Sequence, residues 1–215
     1  MLGDKVSPGD QVIVNGLPVE PLSTEQVIFI ALNKPVGVVC TADSTDKRNI
    51  IDFVDHRCRI FPVGRLDKDS QGLIFLTNRC DLVDKIVGAD SHHEKEYVVT
   101  VNKPITDEFI ARMSNGVPML GRVTKACKVF KESAFVFRII LVQGLNRQIR
   151  RMCQHYHYSV KKLERIRIMH VDLKSLAAGQ WRQLPEAELS ELIQVLEGPI
   201  HDIDPMIKPV TGKVR

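Results

Sequence analysis

Apolar and polar positions along the chain predict several short strands with helices between them. Unbroken apolar runs of strand length occupy residues 27–32 and 73–76, which is typical of buried strands. Residues 96–101 are β-branched and aromatic, a composition that favours a strand. Further strands are predicted at 36–40, 125–130 and 134–142.

Helix signals occur in four places. Asn78, Thr106 and Asn146 are each placed to be an N-cap, because their side-chain oxygens can accept a hydrogen bond from the first helical turn. The last helix begins near Pro185, which suits a first-turn position, and Gly198-Pro199 is expected to end it. Its expected buried residues are Leu189, Leu192, Ile193 and Leu196.

The helix after Gly144 is strongly amphipathic. At about 100° per residue, two sets of side chains fall on opposite sides of it. The apolar side contains Ile149, Met152, Cys153 and Tyr156, and the polar side contains Arg147, Arg150, Arg151 and Gln154. One face therefore packs, and the other presents a stripe of guanidinium groups. Farther along, alternation over 161–171 predicts a strand with Arg165 and Arg167 on one face and Ile166 and Ile168 on the other.

Several short buried strands with interspersed helices indicate an α+β protein with one large mixed sheet. Residues 1–21 contain a turn, a short strand and a second turn, which is too little to fold alone. The main domain is expected to span 22–198. Residues 199–215 lack periodicity and are expected to form a loose tail.

The composition excludes several classes of protein. The chain has 215 residues, of which 44% are hydrophobic and 26% charged, as in soluble globular proteins. No apolar run approaches the roughly 20 residues of a membrane span, and Met1–Lys5 does not lead into a signal peptide. The five cysteines are irregularly spaced, so we expect reduced, mostly buried thiols, and we expect the protein to be cytoplasmic.

Positive charge is concentrated in one segment although the net charge is only +4. Between Arg147 and Arg167 there are seven basic residues and a single acidic residue, Glu164. Concentrated positive charge often meets phosphate, and a solvated face is an equally good interpretation of charge alone.

The loop Gly64–Gly72 is the best candidate for chemistry, because it places carboxylates beside a buried strand. Asp67–Gly72 resembles half of an EF-hand calcium loop, but Asn78 stands where the bidentate Glu should be, so calcium is disfavoured. There is no GxSxG, no phosphate-binding GxxxxGK[ST] and no histidine cluster with metal-ligand spacing. No metal or cofactor is expected.

Four motifs in the chain resemble those of pseudouridine synthases, in particular the RsuA/RluF-type ribosomal RNA enzymes. They are Leu32–Gly37, Gly64–Leu73 around Asp67, Lys95–Tyr97, and Gly144–Met152, in family order. The resemblance covers roughly residues 25–196 and is greatest to the RluF branch, which acts on large-subunit ribosomal RNA. It implies the pseudouridine synthase catalytic fold, a mixed and mostly antiparallel sheet flanked by helices and loops, with an RNA-binding cleft.

The resemblance also implies roles for individual residues. Asp67 is the essential carboxylate, acting on the ribose by covalent attack or by supporting a glycal-type route. Tyr97 is expected to stack on the flipped uracil. Because burial pushes a carboxylate toward neutrality, a cation is needed beside Asp67, and Arg150 is the candidate. The expected RNA contacts are Arg65, Lys34, Asn146, Arg147, Gln148, Arg151, Lys161, Lys162 and Arg165; for Lys34 a plain strand-end lysine is equally favoured.

One departure from the family concerns the first residues. These enzymes often begin with a small S4 RNA-binding domain, and residues 1–16 resemble only its last hairpin, so 1–21 is interpreted as a remnant of that domain. We therefore expect a truncated product or a fragment, with altered RNA affinity and targeting. The expected partner is RNA, a stem-loop of large-subunit ribosomal RNA, and the expected state is a monomer.

Three alternatives stay open. A non-catalytic RNA-binding or ribosome-assembly module would use the basic surface without Asp67 or Tyr97. A base-excising glycosylase would also use an Asp and a flipped base. A pseudouridine synthase that acts on transfer RNA would share all of the motifs.

Overall fold

The computed structural model describes residues 27–88 and 91–197 in full, together with the backbone of two short strands near the start of the chain. The strands are β1 Val12–Val14, β2 Leu17–Val19, β3 Phe29–Lys34, β4 Phe61–Val63, β5 Gln71–Thr77, β6 Lys95–Val101, β7 Pro118–Met119, β8 Arg122–Val123, β9 Lys128–Lys131, β10 Val136–Leu141, β11 Val160–Ile168, β12 Val171–Asp172 and β13 Trp181–Gln183. The helices are α1 Ile50–Val54, α2 Cys80–Val87, α3 Asp107–Ser114, α4 Gln148–His155 and α5 Glu186–Glu197. Of the predicted segments, 199–215 and the end of the last helix at Gly198-Pro199 lie outside the described residues.

A nine-stranded sheet organises the fold. Its main path runs β13-β3-β5-β11-β6-β10-β9, with β4 paired to β5 and β12 paired to β11. All of these pairings are antiparallel except that of β5 with β11. The predicted α+β class, with a large mixed and mostly antiparallel sheet, is therefore confirmed. β1 and β2 form a separate hairpin within the segment interpreted as an S4 remnant.

Strands β3 and β5 are buried on both faces, which explains their unbroken apolar runs. One face packs with residues of α2 and α5, including Leu82 and Leu192. The other face packs with α1 through Ile50 and Val54. As predicted, Leu192 is buried in α5, and Leu189, Ile193 and Leu196 pack beside it while remaining partly exposed.

Strands β6, β10 and β11 have one apolar face and one charged face. On the apolar face, Val99, Phe137 and Leu163 pack with α3 and α4. On the charged face, Glu96 accepts hydrogen bonds from Arg138 at 2.9 Å and from Arg167 at 2.6 Å. α3 begins as predicted, since the Thr106 side chain accepts a hydrogen bond from the backbone of Phe109.

Three predicted local features are wrong. Residues 36–40 are not a strand; Gly37 has φ +99°, and Val39 makes only an isolated bridge with Asn49. Asn78 does not cap α2, because its side chain accepts a hydrogen bond from the backbone of Ile28 and thereby joins two loops. Asn146 does not cap α4 either; Arg147 stands at that position, and the Asn146 side chain accepts a hydrogen bond from Arg151.

The predicted alternation along β11 also fails, for a geometric reason. The register with β6 shifts between Arg165 and Arg167, so that Arg165 lies opposite Tyr97 whereas Arg167 lies opposite Glu96. Tyr97 and Glu96 are adjacent in β6 and point to opposite faces of the sheet. The irregularity therefore sends Arg165 and Arg167 to opposite faces, as a β-bulge does.

Two further expectations, about membrane-spanning segments and about the cysteines, can be compared with the structure. Among the described residues, no helix is long and apolar enough to cross a membrane. The five cysteines are free; Cys40 and Cys153 are buried, Cys80 is exposed, and Cys58 and Cys127 are half-buried. The thiols are thus less uniformly buried than predicted.

Candidate active site

The loop Gly64–Gly72 is fixed to the core at several points. Leu66 is buried in the apolar cluster under β3 and β5, and its carbonyl accepts a hydrogen bond from the Cys40 thiol at 3.2 Å. The backbone N–H of Gly37 donates to the carbonyl of Lys68 at 2.8 Å. The irregular segment 36–40 therefore serves as a support for this loop, and Asp67 is held on a rigid frame.

Arg150 and Arg147 of the amphipathic helix region reach the same loop in different ways. Arg150 donates to the carbonyl of Asp69 at 2.9 Å and to the hydroxyl of Ser70 at 3.1 Å. Arg147 forms two hydrogen bonds with the Asp69 carboxylate, at 3.1 and 3.0 Å, and its Nη1 lies 3.4 Å from Oδ2 of Asp67. The cation beside Asp67 is therefore Arg147.

Arg150 was expected to contact Asp67, but Arg147 occupies that position and Arg150 lies beside Asp69. Within the part of the chain that the structure describes, Arg150 makes no hydrogen bond or ion pair with Asp67. Its guanidinium instead donates to the backbone carbonyl of Asp69 and to the Ser70 hydroxyl, and it lies 3.4 Å from the Asp69 carboxylate. Helical spacing places Arg147 and Arg150 close together, so the sequence could not separate them; the left-handed backbone of Arg147, with φ +49°, decides which of them reaches Asp67.

Asp69 is bound by both arginines of the helix region. Hydrogen bonds from Arg147 lower the pKa of the Asp69 carboxyl, against the opposing effect of partial burial, and the charge of Arg150 adds to the lowering. The side chain is 48% exposed, so its contribution to stability is small. Asp69 and Arg147 together act as a clamp between the loop and α4.

A cavity of about 310 Å³ opens beside the loop. Its lining includes Asp67, Arg65 and Tyr97, which come from distant parts of the sequence. Tyr97 is half-buried and packs against two of the three apolar clusters, so its ring is held at the edge of the core. The predicted association of Asp67 and Tyr97 in one cleft is therefore present.

The predicted RNA contacts divide into exposed and buried residues. Six of them are exposed to solvent: Arg65, Asn146, Arg147, Arg151, Lys161 and Lys162. Lys34, Gln148 and Arg165 are buried, with 0%, 5% and 4% exposure, so they do not belong to the exposed basic surface.

Each of the three buried residues has an internal partner. The Lys34 ammonium donates to the carbonyls of Pro35 at 2.8 Å and Val38 at 2.9 Å, which favours the strand-end interpretation. Burial lowers the pKa of Lys34, while Cys40 and the carboxylates Asp67 and Asp69 oppose that effect. Gln148 accepts a hydrogen bond from the backbone of Leu145, and Arg165 donates to the carbonyl of Leu73 at 2.6 Å.

Sequence reasoning missed Lys95, which lines the same cavity. The residue is 8% exposed, and burial, with a further effect from Arg165, lowers its pKa from 10.5 to about 8. The available signal was its spacing of two from Tyr97, which puts both side chains on one face of β6.

The histidines of the described part of the chain do not form a metal site. In residues 27–88 and 91–197, no group of three His, Cys, Asp or Glu side chains could hold a metal ion. His155 and His157 line a separate cavity beside α3.

Comparison with known proteins gives concordant matches. The family model described as RNA pseudouridylate synthase matches residues 28–155, more than half of the chain. The dual-specificity RNA pseudouridine synthase RluF of Escherichia coli K12 is 60% identical over 216 residues, covering 100% of this chain and 74% of that protein. The ribosomal large subunit pseudouridine synthase B of Bacillus subtilis is 31% identical over 199 residues, covering 89% of this chain and 80% of that protein.

The fold agrees with these sequence matches. A solved structure described as a pseudouridylate synthase superposes with a TM-score of 0.72 at 30% identity, covering 78% of this chain and 74% of that one. The sheet, the cavity beside Asp67 and the order of the motifs are therefore all explained by membership of one family. The chain belongs to the RNA pseudouridylate synthase family, and it is an RNA pseudouridine synthase of the RsuA/RluF type.

Proposed function

We propose that this enzyme converts a uridine of large-subunit ribosomal RNA to pseudouridine, with Asp67 as the essential carboxylate. The observation that carries the proposal is that Asp67 and Tyr97 line one cavity, with the guanidinium of Arg147 3.4 Å from Asp67. The choice of ribosomal RNA is supported by the name of the Bacillus subtilis relative.

The reaction requires the uridine to leave its stack. A base within a helix cannot lose its bond to the ribose, turn and rejoin through carbon, so it must be flipped into a pocket. The cavity of about 310 Å³ is at the lower end of the range of small-molecule sites, roughly 300–1,000 Å³. Arg65 is exposed at its mouth, where it can occupy the gap that the flipped base leaves.

The proposed chemistry uses the carboxylate of Asp67, and Arg147 places a guanidinium 3.4 Å from it. A cation at this distance interacts favourably with a carboxylate. The ionised oxygen can attack C1′ of the ribose or support a glycal-type route, and both routes use the same position of Asp67. Tyr97 lines the same cavity, where its ring can stack on the uracil.

The test is a map of pseudouridine in ribosomal RNA by carbodiimide modification, in cells that lack the protein and in cells that carry wild type or Asp67→Asn. We expect one large-subunit signal to disappear without the protein and to return with wild type only. Purified Asp67→Asn should still bind the RNA. Activity that survives this substitution would contradict the role of Asp67.

The same experiment separates the alternatives. A non-catalytic binding module leaves the map unchanged in all strains. A base-excising glycosylase releases free uracil and creates an abasic site, whereas isomerisation leaves the mass of the RNA unchanged.

A second RNA substrate is favoured by one observation. The Escherichia coli relative carries the description dual-specificity, and it is 60% identical to this chain. We therefore propose that a transfer RNA is a further substrate, to be tested by mapping the transfer RNA pool from the same strains. We also propose that the enzyme acts as a cytoplasmic monomer without metal or organic cofactor, which light scattering with and without RNA and assays after chelation will test.

A further inference from the structure

Two buried cations face the active-site cavity without a carboxylate partner. They are Arg165 of β11 and Lys95 of β6, and both line the cavity that contains Asp67. Neither forms an ion pair with any residue in the described ranges 27–88 and 91–197. Buried charges in proteins are normally paired, so this arrangement indicates a ligand of negative charge.

Arg165 has hydrogen-bonding capacity that the protein does not use. The residue is 4% exposed, its Nε donates to the carbonyl of Leu73, and its Nη2 is buried without a hydrogen-bond partner among the described residues. The guanidinium carbon lies 6.0 Å from the centroid of the Tyr97 ring. The guanidinium is thus close to the ring that is expected to contact the base.

Lys95 adds a second cation on the same side of the cavity. Among the described residues its Nζ makes one hydrogen bond, to the carbonyl of His93 at 3.1 Å, although an ammonium group has three donors. Lys95 and Tyr97 are two residues apart on β6, and Arg165 lies opposite Tyr97 on β11. Burial, followed by the positive charge of Arg165, lowers the pKa of Lys95, so the two cations are electrostatically coupled.

We propose that Arg165 and Lys95 stabilise the uracil anion that is released when the glycosidic bond breaks. This inference rests on the function proposed above. When the C1′–N1 bond breaks, its electron pair stays on the base, and the negative charge spreads over N1 and the two carbonyl oxygens. Bond formation between C1′ and C5 then releases the C5 proton, and N1 takes up a proton, so the reaction is balanced without a co-reactant.

The base is a better occupant of this site than an RNA phosphate. Arg165 and Lys95 are buried, whereas the exposed cations Arg65, Arg147 and Arg151 lie where a backbone could pass. Fixed cations aimed at a developing negative charge are also among the strongest sources of rate acceleration in enzymes. A phosphate at this site would instead contribute to RNA affinity.

The decisive experiment compares uridine with 5-fluorouridine in the same large-subunit RNA fragment. Fluorine makes the departing base a weaker base, so its anion depends less on stabilisation by the protein. We expect Arg165→Met and Lys95→Met to slow single-turnover consumption of uridine by about 10²-fold, as for the loss of an oxyanion donor. C5 of 5-fluorouridine carries no proton to release, so with this substrate C1′–N1 cleavage is followed as consumption of the nucleoside. The rate loss of both variants should then be clearly smaller, and their dissociation constants for RNA should be unchanged.

Controls separate this role from a structural one. Arg138→Met and Lys128→Met remove a basic residue that carries an ion pair elsewhere on the sheet, and both should react like wild type. Because Arg165→Met can weaken the contact with Leu73, Arg165→Lys and Lys95→Arg are measured as well, and they should recover part of the rate.

Equal losses with the two substrates would overturn the inference in favour of a structural role, and weaker RNA binding at unchanged rate would overturn it in favour of a phosphate contact. If the wild-type enzyme forms no pseudouridine at all, the proposed function fails, and this inference fails with it.

Discussion

Gly72 lies opposite Arg165 where the parallel strands β5 and β11 meet, and the two backbones approach more closely than any side chain would permit. A Cβ on Gly72 would lie 2.2 Å from the carbonyl oxygen of Arg165 and 2.5 Å from its nitrogen. The φ of Gly72 is +110°, a conformation that other residues rarely adopt. The glycine that ends the motif around Asp67 therefore fixes the position of Arg165 beside the cavity.

Gly72→Ala should destabilise the protein strongly, because both the backbone strain and the contact with Arg165 oppose it. We expect a loss of about 3 kcal/mol or more in the free energy of unfolding, measured by urea denaturation. Gly121→Ala is the matched control; Gly121 has φ +73° but open space around its Cβ position, so a loss of about 1 kcal/mol is expected. Similar losses for the two variants would contradict the role of close approach.

The longer strands and helices could be predicted because they depend on the local pattern of apolar and polar residues. The unbroken apolar runs of β3 and β5 reflect burial on both faces, and the N-cap at Thr106 depends on residues three apart. The motifs also indicated that Asp67 and Tyr97 meet, since the resemblance carried long-range information that periodicity lacks.

The remaining features depend on geometry that no local pattern records. The irregularity in β11 turned Arg165 inward, although strict alternation placed it on the face of Arg167. The left-handed backbone of Arg147 brought this residue to Asp67 in place of Arg150. Lys34 looked like an exposed strand-end cation, but the following residues fold back over it and accept its hydrogen bonds.

The contribution of Glu96 to the free energy of unfolding should depend on pH. Burial alone would raise the pKa of Glu96, but hydrogen bonds from Arg167 and Arg138 lower it below 4.5. A lowered carboxyl pKa gives stability that is present above pH 4.5 and is lost as the pH falls through the folded-state pKa. Glu96→Gln should cost about 2 kcal/mol at pH 7 and flatten the acid dependence of urea denaturation.

The control for Glu96 is Glu108→Gln. Glu108 pairs with Arg112 on the surface of α3, where both side chains are more than half exposed. Its loss should change the free energy of unfolding by less than about 1 kcal/mol. An acid dependence that is the same in Glu96→Gln as in wild type would show that other carboxylates are responsible.

Lys95 should make the protein more stable as the pH rises. Its pKa is about 8 in the folded protein and 10.5 when unperturbed, so the unfolded chain binds more protons between these values. Stability therefore increases with pH across that window, and the full cost of the buried charge, about 3 kcal/mol, is present below pH 8. Lys95→Met removes this cost.

The measurement is the difference in unfolding free energy between Lys95→Met and wild type from pH 7 to pH 10.5. We expect the variant to be more stable at pH 7 and the difference to vanish toward pH 10.5. Lys128→Met, which removes an exposed lysine paired with Glu94, is measured over the same range for comparison. A constant difference for Lys95→Met would contradict the assigned effect of burial.

Arg147 should affect both the chemistry and the geometry of the loop. Arg147→Met removes the cation 3.4 Å from Asp67 and both hydrogen bonds to Asp69, so we expect kcat to fall by about 10²-fold. Asp69→Asn weakens only the clamp between the loop and α4, so it should lower kcat by a smaller factor. Since the two residues act together, the double variant should be no slower than Arg147→Met alone, which a double-mutant cycle on single-turnover rates will measure.

Whether Arg147→Met lowers the rate at saturating RNA or the affinity for RNA distinguishes this role from simple RNA binding. A residue that only neutralises a phosphate lowers affinity and reduces the salt dependence of binding by about one unit of slope, with the rate at saturating RNA retained. Arg112→Met, on the surface of α3, serves as the control and should leave both quantities unchanged. If Arg147→Met shows the phosphate pattern with a normal saturated rate, Asp67 does not need this cation for the reaction.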